Sequence, residues 1–501
     1  MAAIGHEERG ETSSTAESRR GVARNATYLA LGQLGTTVLG IALSAALGRG
    51  LGAGEFGLYF LALSMAAFVY VFIEWGQPAV VTRETARQPE LAGDLLGTAL
   101  VLRLVSTVLA VVPLLWSAVL LGYDRRTIAL AVLYFAATLP AFLSQAFTMV
   151  FRGRDRMEGD AAVSVFNKTI TLVLVVAVLA RGGGLVAVAI AQAVAGIASL
   201  AFARCLYAKL GAPPLRATWG MARRLWTGGA PIVAVAAAAA FQPYLDAVIL
   251  SKLVPSDVMG WYAVAKNILG TLLAPAVILG SASFPQLSRA AAEPARFREE
   301  VRAALRVMLM LGALGAVGTY LFAGTAVRVI YGRAQYQPAV TILEVFSPGM
   351  FLLFVDVLLG NALFAASRVK RFALAKIASV GVSVALDLVL IPVFQHRYGN
   401  GGIGVLVAFA ASELVVFGCA LTMMPRGSLS GSSVLDGGKA LAAGSATVLL
   451  ARAAPGVPPS IGIPLVALLF CAIAYALGLV RRSDVALLTE MVSRRRPSSE
   501  A

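Results

Sequence analysis

Residues 161–207 read AAVSVFNKTITLVLVVAVLARGGGLVAVAIAQAVAGIASLAFARCLY, two apolar runs joined by Arg181 and the triplet Gly182, Gly183, Gly184. At about 1.5 Å per residue, each run is long enough to cross a hydrocarbon core of roughly 30 Å as a helix. The glycines supply a turn that returns the chain. Neither run alternates with period two, so neither is a strand of a lipid-facing barrel, and lipid offers no partner to an unpaired backbone. The pattern of apolar run and short polar break recurs from about Asn25 to Val480. Predicted spans lie at 25–47, 57–80, 95–121, 127–150, 161–180, 184–207, 227–251, 259–284, 303–327, 338–366, 372–394, 402–424, 437–453 and 460–480.

Composition agrees: of 501 residues, 58% are hydrophobic and 14% charged, against about a quarter charged in a soluble domain. The expected class is all-α, a polytopic membrane protein with about fourteen transmembrane helices. No loop reaches the ~50 residues of a small domain, which leaves no room for an accessory enzyme domain. The net charge of +16 does not indicate nucleic acid, because the basic residues sit in short loops rather than in a polar domain with interleaved aromatics. They concentrate in the even-numbered loops and the tails, as in Arg152, Arg154, Arg156 and Arg368, Lys370, Arg371. That bias puts both termini in the cytosol and the chain in the cytoplasmic (inner or plasma) membrane. Residues 1–20 are polar and expected to be a disordered cytosolic tail, with the first span serving as its own insertion signal. Arg83 to Asp94 and Arg289 to Arg306 read as amphipathic helices at the membrane surface, touching headgroups. Cys205, Cys419 and Cys471 have no CxxC spacing and read as small core residues.

An internal repeat is visible. Leu47–Ala62 can be laid on Leu250–Ala265, matching Arg49 with Lys252, Gly57 with Gly260, Tyr59 with Tyr262 and Ala62 with Ala265. Pro140 and Pro348 both fall in the fourth span of a half, and each fifth span ends in a Gly-rich turn. The expected organisation is an N-terminal six-helix bundle at 21–210, a second at 211–425, two further helices within 426–484 and a cytosolic tail at 485–501. In repeat-built transporters the substrate site lies between repeats near the midplane.

With its first span, Leu51-Gly-Ala-Gly-Glu-Phe-Gly-Leu-Tyr59 and a second span closing on Arg83-Glu-Thr-Ala-Arg87, the chain resembles the polysaccharide flippases of the multidrug/oligosaccharidyl-lipid/polysaccharide exporter superfamily. Asp246, Gly260-Trp-Tyr262 and Ala265-Lys266 extend the resemblance into the second half. It singles out Gly57, Tyr59, Arg83, Arg87, Gly260 and Tyr262 as family-motif positions. It implies two six-helix bundles around a central cavity, two extra helices, and passage of undecaprenyl-diphosphate-linked sugars by alternating access. The acidic and basic signature of the lipid II flippase branch is missing from the first spans. The final helix pair separates the chain from the small-molecule antiporters, which usually have twelve spans. Expected partners are the lipid-linked oligosaccharide, membrane lipids, a polysaccharide polymerase and a chain-length regulator, with no nucleic acid.

Ionisable groups deep in a bilayer cost at least about 2.5–3.5 kcal/mol, which makes them default functional candidates. Arg103, Lys168 and Lys266 are the candidates for lining a cavity that neutralises a diphosphate. Glu74 also lies within a span, and Asp246, Asp356, Asp387 and Glu413 are candidates for proton or sodium coupling. The alternative for each is a structural ion pair. No Gly-x-x-x-x-Gly-Lys-Ser/Thr loop, His-Glu-x-x-His motif or nucleophile elbow occurs, so no catalytic residue, metal site or cofactor is expected. Pro78, Pro140, Pro231, Pro275, Pro348 and Pro392 interrupt spans and are expected to kink them. The rival readings are an ion-coupled small-molecule exporter and a membrane glycan polymerase or ligase; the latter should carry a large external loop, which this chain lacks.

Overall fold

The computed structural model describes residues 4–479 except 212, 333, 426, 430 and 454–456, so the tail expected at 485–501 lies outside the described residues. The described residues are all-α. The helices are α1 (Ile4–Leu51), α2 (Ala53–Glu74), α3 (Gln77–Arg87), α4 (Ala92–Leu120), α5 (Arg125–Gly153), α6 (Met157–Ala180) and α7 (Leu185–Lys209). They continue as α8 (Trp219–Leu253), α9 (Ser256–Ala290), α10 (Pro294–Tyr331), α11 (Pro338–Ala365), α12 (Val369–Tyr398), α13 (Gly401–Met423), α14 (Gly431–Ala453) and α15 (Pro459–Ala476). Every expected span but the second falls on one long helix, and 13 helical stretches among the described residues are long and apolar enough to cross a membrane. On α4, Val108, Leu109 and Val112 are about two-thirds exposed. A stripe of that kind would aggregate in water and is at home in lipid.

Local chemistry sets the ends. Asp124 caps α5 by accepting from the backbone N–H of Arg126 and Thr127, and Thr218 caps α8 by accepting from Met221. Gly332 and Gly399 close α10 and α12 in the left-handed conformation that lacks a Cβ penalty. Three differences from the sequence reading have physical reasons. The second span stops at Glu74 because Trp75 and Gly76 both turn left-handed, so Pro78 starts α3 rather than kinking a span, a place where its missing N–H costs nothing. Pro140, Pro275, Pro348 and Pro392 do lie inside helices, while the side chain of Pro231 lies outside the described set. Helix α1 runs from Ile4, through the stretch read as a tail, and α10 continues without a break from the surface segment around Arg298 into its apolar part. Cys205 and Cys471 are exposed rather than core residues, because a small apolar side chain is as well accommodated by lipid as by protein.

The contacts of the second half retrace those of the first. Helices α4 and α5, α5 and α7, and α6 and α7 pack together, and so do α10 and α11, α11 and α13, and α12 and α13. The α5–α6 and α11–α12 turns each hold one non-glycine residue at positive φ, Asp155 at 54° and Ser367 at 57°. Two compact units result, one up to Ala263 and one from Val264. The first unit is longer than the six-helix half read from the repeat, because α8 packs on α2, α3 and α4 and the first turn of α9 closes on that of α2. There a Cβ on Gly260 would stand 2.1 Å from the carbonyl oxygen of Ala53.

Candidate functional site

Inside the first unit, α1, α2, α3, α5 and α6 surround a cavity of about 280 Å³. Its wall is polar for a membrane interior: Glu74, Gln145, Arg152, Asp160, Asn167 and Lys168 contribute to it. Most of this charge is internally neutralised. Arg152 grips Asp160 with two hydrogen bonds, Nε to Oδ2 at 2.6 Å and Nη2 to Oδ1 at 3.3 Å. Glu74 accepts from Arg103 Nη2 at 3.1 Å. Arg103 itself is fully enclosed on α4, where Nε donates to Gln77 Oε1 and Nη1 to the carbonyl of Phe142, and it reaches the cavity through Glu74. Lys168 is different. It stands at the middle of the 24-residue α6 and has no carboxylate within ion-pair distance among the described residues. The Nδ2 of Asn167 beside it is buried without a hydrogen-bond partner. A cation with no paired carboxylate and an amide donor with no acceptor thus sit side by side on the lining of this cavity.

The second unit holds a separate charge cluster. Lys376 on α12 donates to Asp356 Oδ2 on α11 at 2.8 Å and to both oxygens of Glu413 on α13 at 3.2 Å. Asp356 Oδ1 remains buried with no hydrogen-bond partner. Lys266 on α9 lies 5.2 Å from the Phe409 ring, one turn before Glu413, and within electrostatic reach of that carboxylate. The structure therefore brings Lys266, Asp356 and Glu413 together; in the other unit Lys168 lines the cavity, whereas Arg103 does not line it and meets it only through Glu74.

Asp246 and Asp387 are buried, at 1% and 0% exposure. Gly57 and Gly260 sit where α2 and α9 approach closely, Tyr59 accepts from Gln192 at 2.7 Å, and Tyr262 packs edge-on against Phe60. Arg83 and Arg87 are exposed, Arg83 pairing with Glu84 at 3.0 Å. Sequence reasoning missed Lys376, which lies close enough to the start of its span to pass for a boundary residue. It also missed Glu84, buried on α3 and bridged to Arg224 of α8. The signal for Glu84 was an acid inside the apolar-faced stretch from Val80 to Thr85. No group of three or more His, Cys, Asp or Glu side chains fit to hold a metal occurs among the described residues.

Repeat-built apolar helices, with a charged cavity inside the first unit, define the class: a polytopic all-α membrane protein. The model of the family described as "Polysaccharide biosynthesis protein" matches residues 22–291, more than half of the chain, and the chain belongs to that family. No curated protein matches the chain in sequence. Among solved structures it is similar to the lipid II flippase MurJ in an inward closed conformation, with a TM-score of 0.70 and 12% identity over 90% of this chain and 97% of that one. It is also similar to an inward-facing multidrug resistance MATE family transporter of the MOP superfamily, with a TM-score of 0.64 and 14% identity over 77% and 93% of the two chains. A MOP superfamily transporter from Pyrococcus furiosus gives 0.58 at 14% identity over 80% and 94%. The chain thus shares the fold of these flippases and transporters.

Proposed function

We propose that the protein is a flippase that moves an undecaprenyl-diphosphate-linked oligosaccharide across the cytoplasmic membrane by alternating access, for polysaccharide biosynthesis. The fold by itself accommodates other cargo, since its neighbours include a lipid II flippase and multidrug transporters. Family membership in polysaccharide biosynthesis favours the lipid-linked sugar. The observation that carries the reading is Lys168, a cation without a carboxylate partner among the described residues, on the wall of a polar cavity. A cation held in that setting is costly unless an anion visits it, and a diphosphate supplies the charge. Arg152 lies on the same wall but is paired with Asp160, and Arg103 holds Glu74 in place. A cationic drug would be repelled by Lys168.

Energy coupling is assigned to the second unit. The unpartnered Asp356 Oδ1 and the shared Lys376 give two carboxylates that can exchange a proton or sodium ion against one lysine. Asp246 and Asp387 remain coupling candidates by burial. The cell-level partners would be a polymerase and a chain-length regulator acting on the delivered repeat unit. Identification of the lipid-linked intermediate that accumulates on the cytosolic side in a deletion strain tests the cargo. Normal surface glycan, with no such intermediate, would refute it.

A further inference from the structure

Arg298, Arg302 and Arg306 recur every four residues at the start of α10 and so lie along one face. With Ser432 in the first turn of α14 they line a cavity of about 500 Å³, separate from the one that holds Lys168. Their positive charge is only partly answered. Arg306 Nε pairs with Asp436 Oδ2 at 3.3 Å. Arg302 Nη2 donates to the carbonyl of Gly427 at 2.8 Å, while its Nε is buried without a partner. Arg298 donates Nε to Pro294 of its own helix at 2.8 Å and meets no carboxylate within ion-pair distance among the described residues. Glu299 is the one acidic residue in the lining.

The position of the cavity narrows what it holds. The apolar part of α10 begins at Val307, directly after Arg306, and Val307 is 46% exposed. On α14, Val434 and Leu435 next to Ser432 are 76% and 59% exposed. The arginines therefore stand where α10 enters the hydrocarbon, with uncovered apolar side chains on both helices beside them. A soluble anion would make no use of those flanks. We propose that this cavity binds the phosphate of an anionic phospholipid from the surrounding bilayer: guanidinium forks take the phosphate oxygens, and the acyl chains lie on the exposed residues of α10 and α14. Basic pockets between helices at a membrane surface suit such headgroups. The site does not depend on the cargo assigned above.

The test uses the full chain, purified and stripped of lipid in a neutral detergent. Phosphatidylglycerol or phosphatidylcholine is added, and retained lipid is counted by native mass spectrometry. The wild type should retain phosphatidylglycerol in preference, and each removed arginine should lower retention about fivefold. Arg298→Gln tests the site without cutting a contact to another helix, and Arg298→Gln with Arg302→Gln should bring retention to the phosphatidylcholine level. Arg296→Gln, an equal charge change at an exposed position outside the lining, should leave retention unchanged. Undiminished retention in the double variant would overturn the proposal, as would an equal loss in Arg296→Gln, which indicates diffuse surface charge. Inorganic phosphate alone raising the melting temperature as much as the lipid does would assign the cavity to a soluble anion and also overturn it.

Discussion

Gly57 and Gly260 meet backbone to backbone: a Cβ on Gly57 would stand 2.8 Å from the amide nitrogen of Gly260 and 2.1 Å from the carbonyl oxygen of Ser256. The contact is symmetric under the sequence repeat, since Gly57 abuts Ser256 while Gly260 abuts Ala53. Because backbone atoms cannot rotate away, Gly57→Ala or Gly260→Ala should destabilise by about 1–3 kcal/mol. Heating curves followed by size-exclusion of the detergent-solubilised protein would show it. A variant melting with the wild type would mean that the crossing is looser than described.

Arg103 and Lys168 should separate cleanly. Removing Arg103 strands Glu74, Gln77 and the Phe142 carbonyl, so Arg103→Met should cost about 3–5 kcal/mol and lower the amount of folded protein. Lys168→Met breaks no ion pair and should change stability by less than about 0.5 kcal/mol while sharply reducing transport. Surface glycan in complemented cells, normalised to folded protein, distinguishes the two. Full glycan with Lys168→Met would remove it from the pathway.

For the cluster in the second unit, Lys376→Met leaves the carboxylates of Asp356 and Glu413 facing each other without their shared cation, at an expected cost of about 3–5 kcal/mol. Glu413→Gln keeps the Lys376 to Asp356 pair and should fold. Adding it to Lys376→Met should recover part of the loss, a coupling measured by a double-mutant cycle. In proteoliposomes, Glu413→Gln should blunt the response to an imposed ion gradient. An unchanged response would take Glu413 out of coupling.

The two left-handed turns offer a gain. Ser367 at φ 57° carries a Cβ where a glycine is favoured, so Ser367→Gly should stabilise by about 1 kcal/mol. Asp155→Gly should gain less, since aspartate tolerates this region better. Thermal midpoints at fixed detergent concentration are the measurement.

Acidification should act through Asp124. The hydroxyl of Thr127 donates to its carboxylate, with backbone N–H groups of Thr127 and Arg126 adding to it, and these bonds hold the carboxyl below its ordinary range. With the folded value below the unfolded one, the cap contributes fully above about pH 4 and fades as pH falls through the folded value. Asp124→Asn, an equally good cap, should flatten the fall in melting temperature below about pH 4 and leave it nearly unchanged at neutral pH; Asp124→Ala should cost about 0.5–2 kcal/mol at neutral pH, a cost that shrinks on acidification.

The helices were legible because an apolar run of membrane length declares itself whatever its neighbours. The break after Glu74 was not, because nothing in the letters Trp75-Gly76 announces that both residues turn left-handed. Asp356 and Glu413 stood out by their apolar surroundings, yet their partner Lys376 did not. Pairing across α11, α12 and α13 depends on helix register, and register is settled by packing. The same holds for Arg103, whose depth was readable and whose enclosure by Glu74, Gln77 and Phe142 was not.

Helix α8 closes over α2, α3 and α4, although by sequence it opens the second repeat. The length that recurs is therefore not the length that packs as one body. A gene for the first half alone would leave that flank bare, since α1 packs on α6 of its own half, and only a leading helix lent by another chain would cover it. Fusion into one polypeptide makes that loan permanent, so cutting the chain just before Trp219 would free the lender from the borrower.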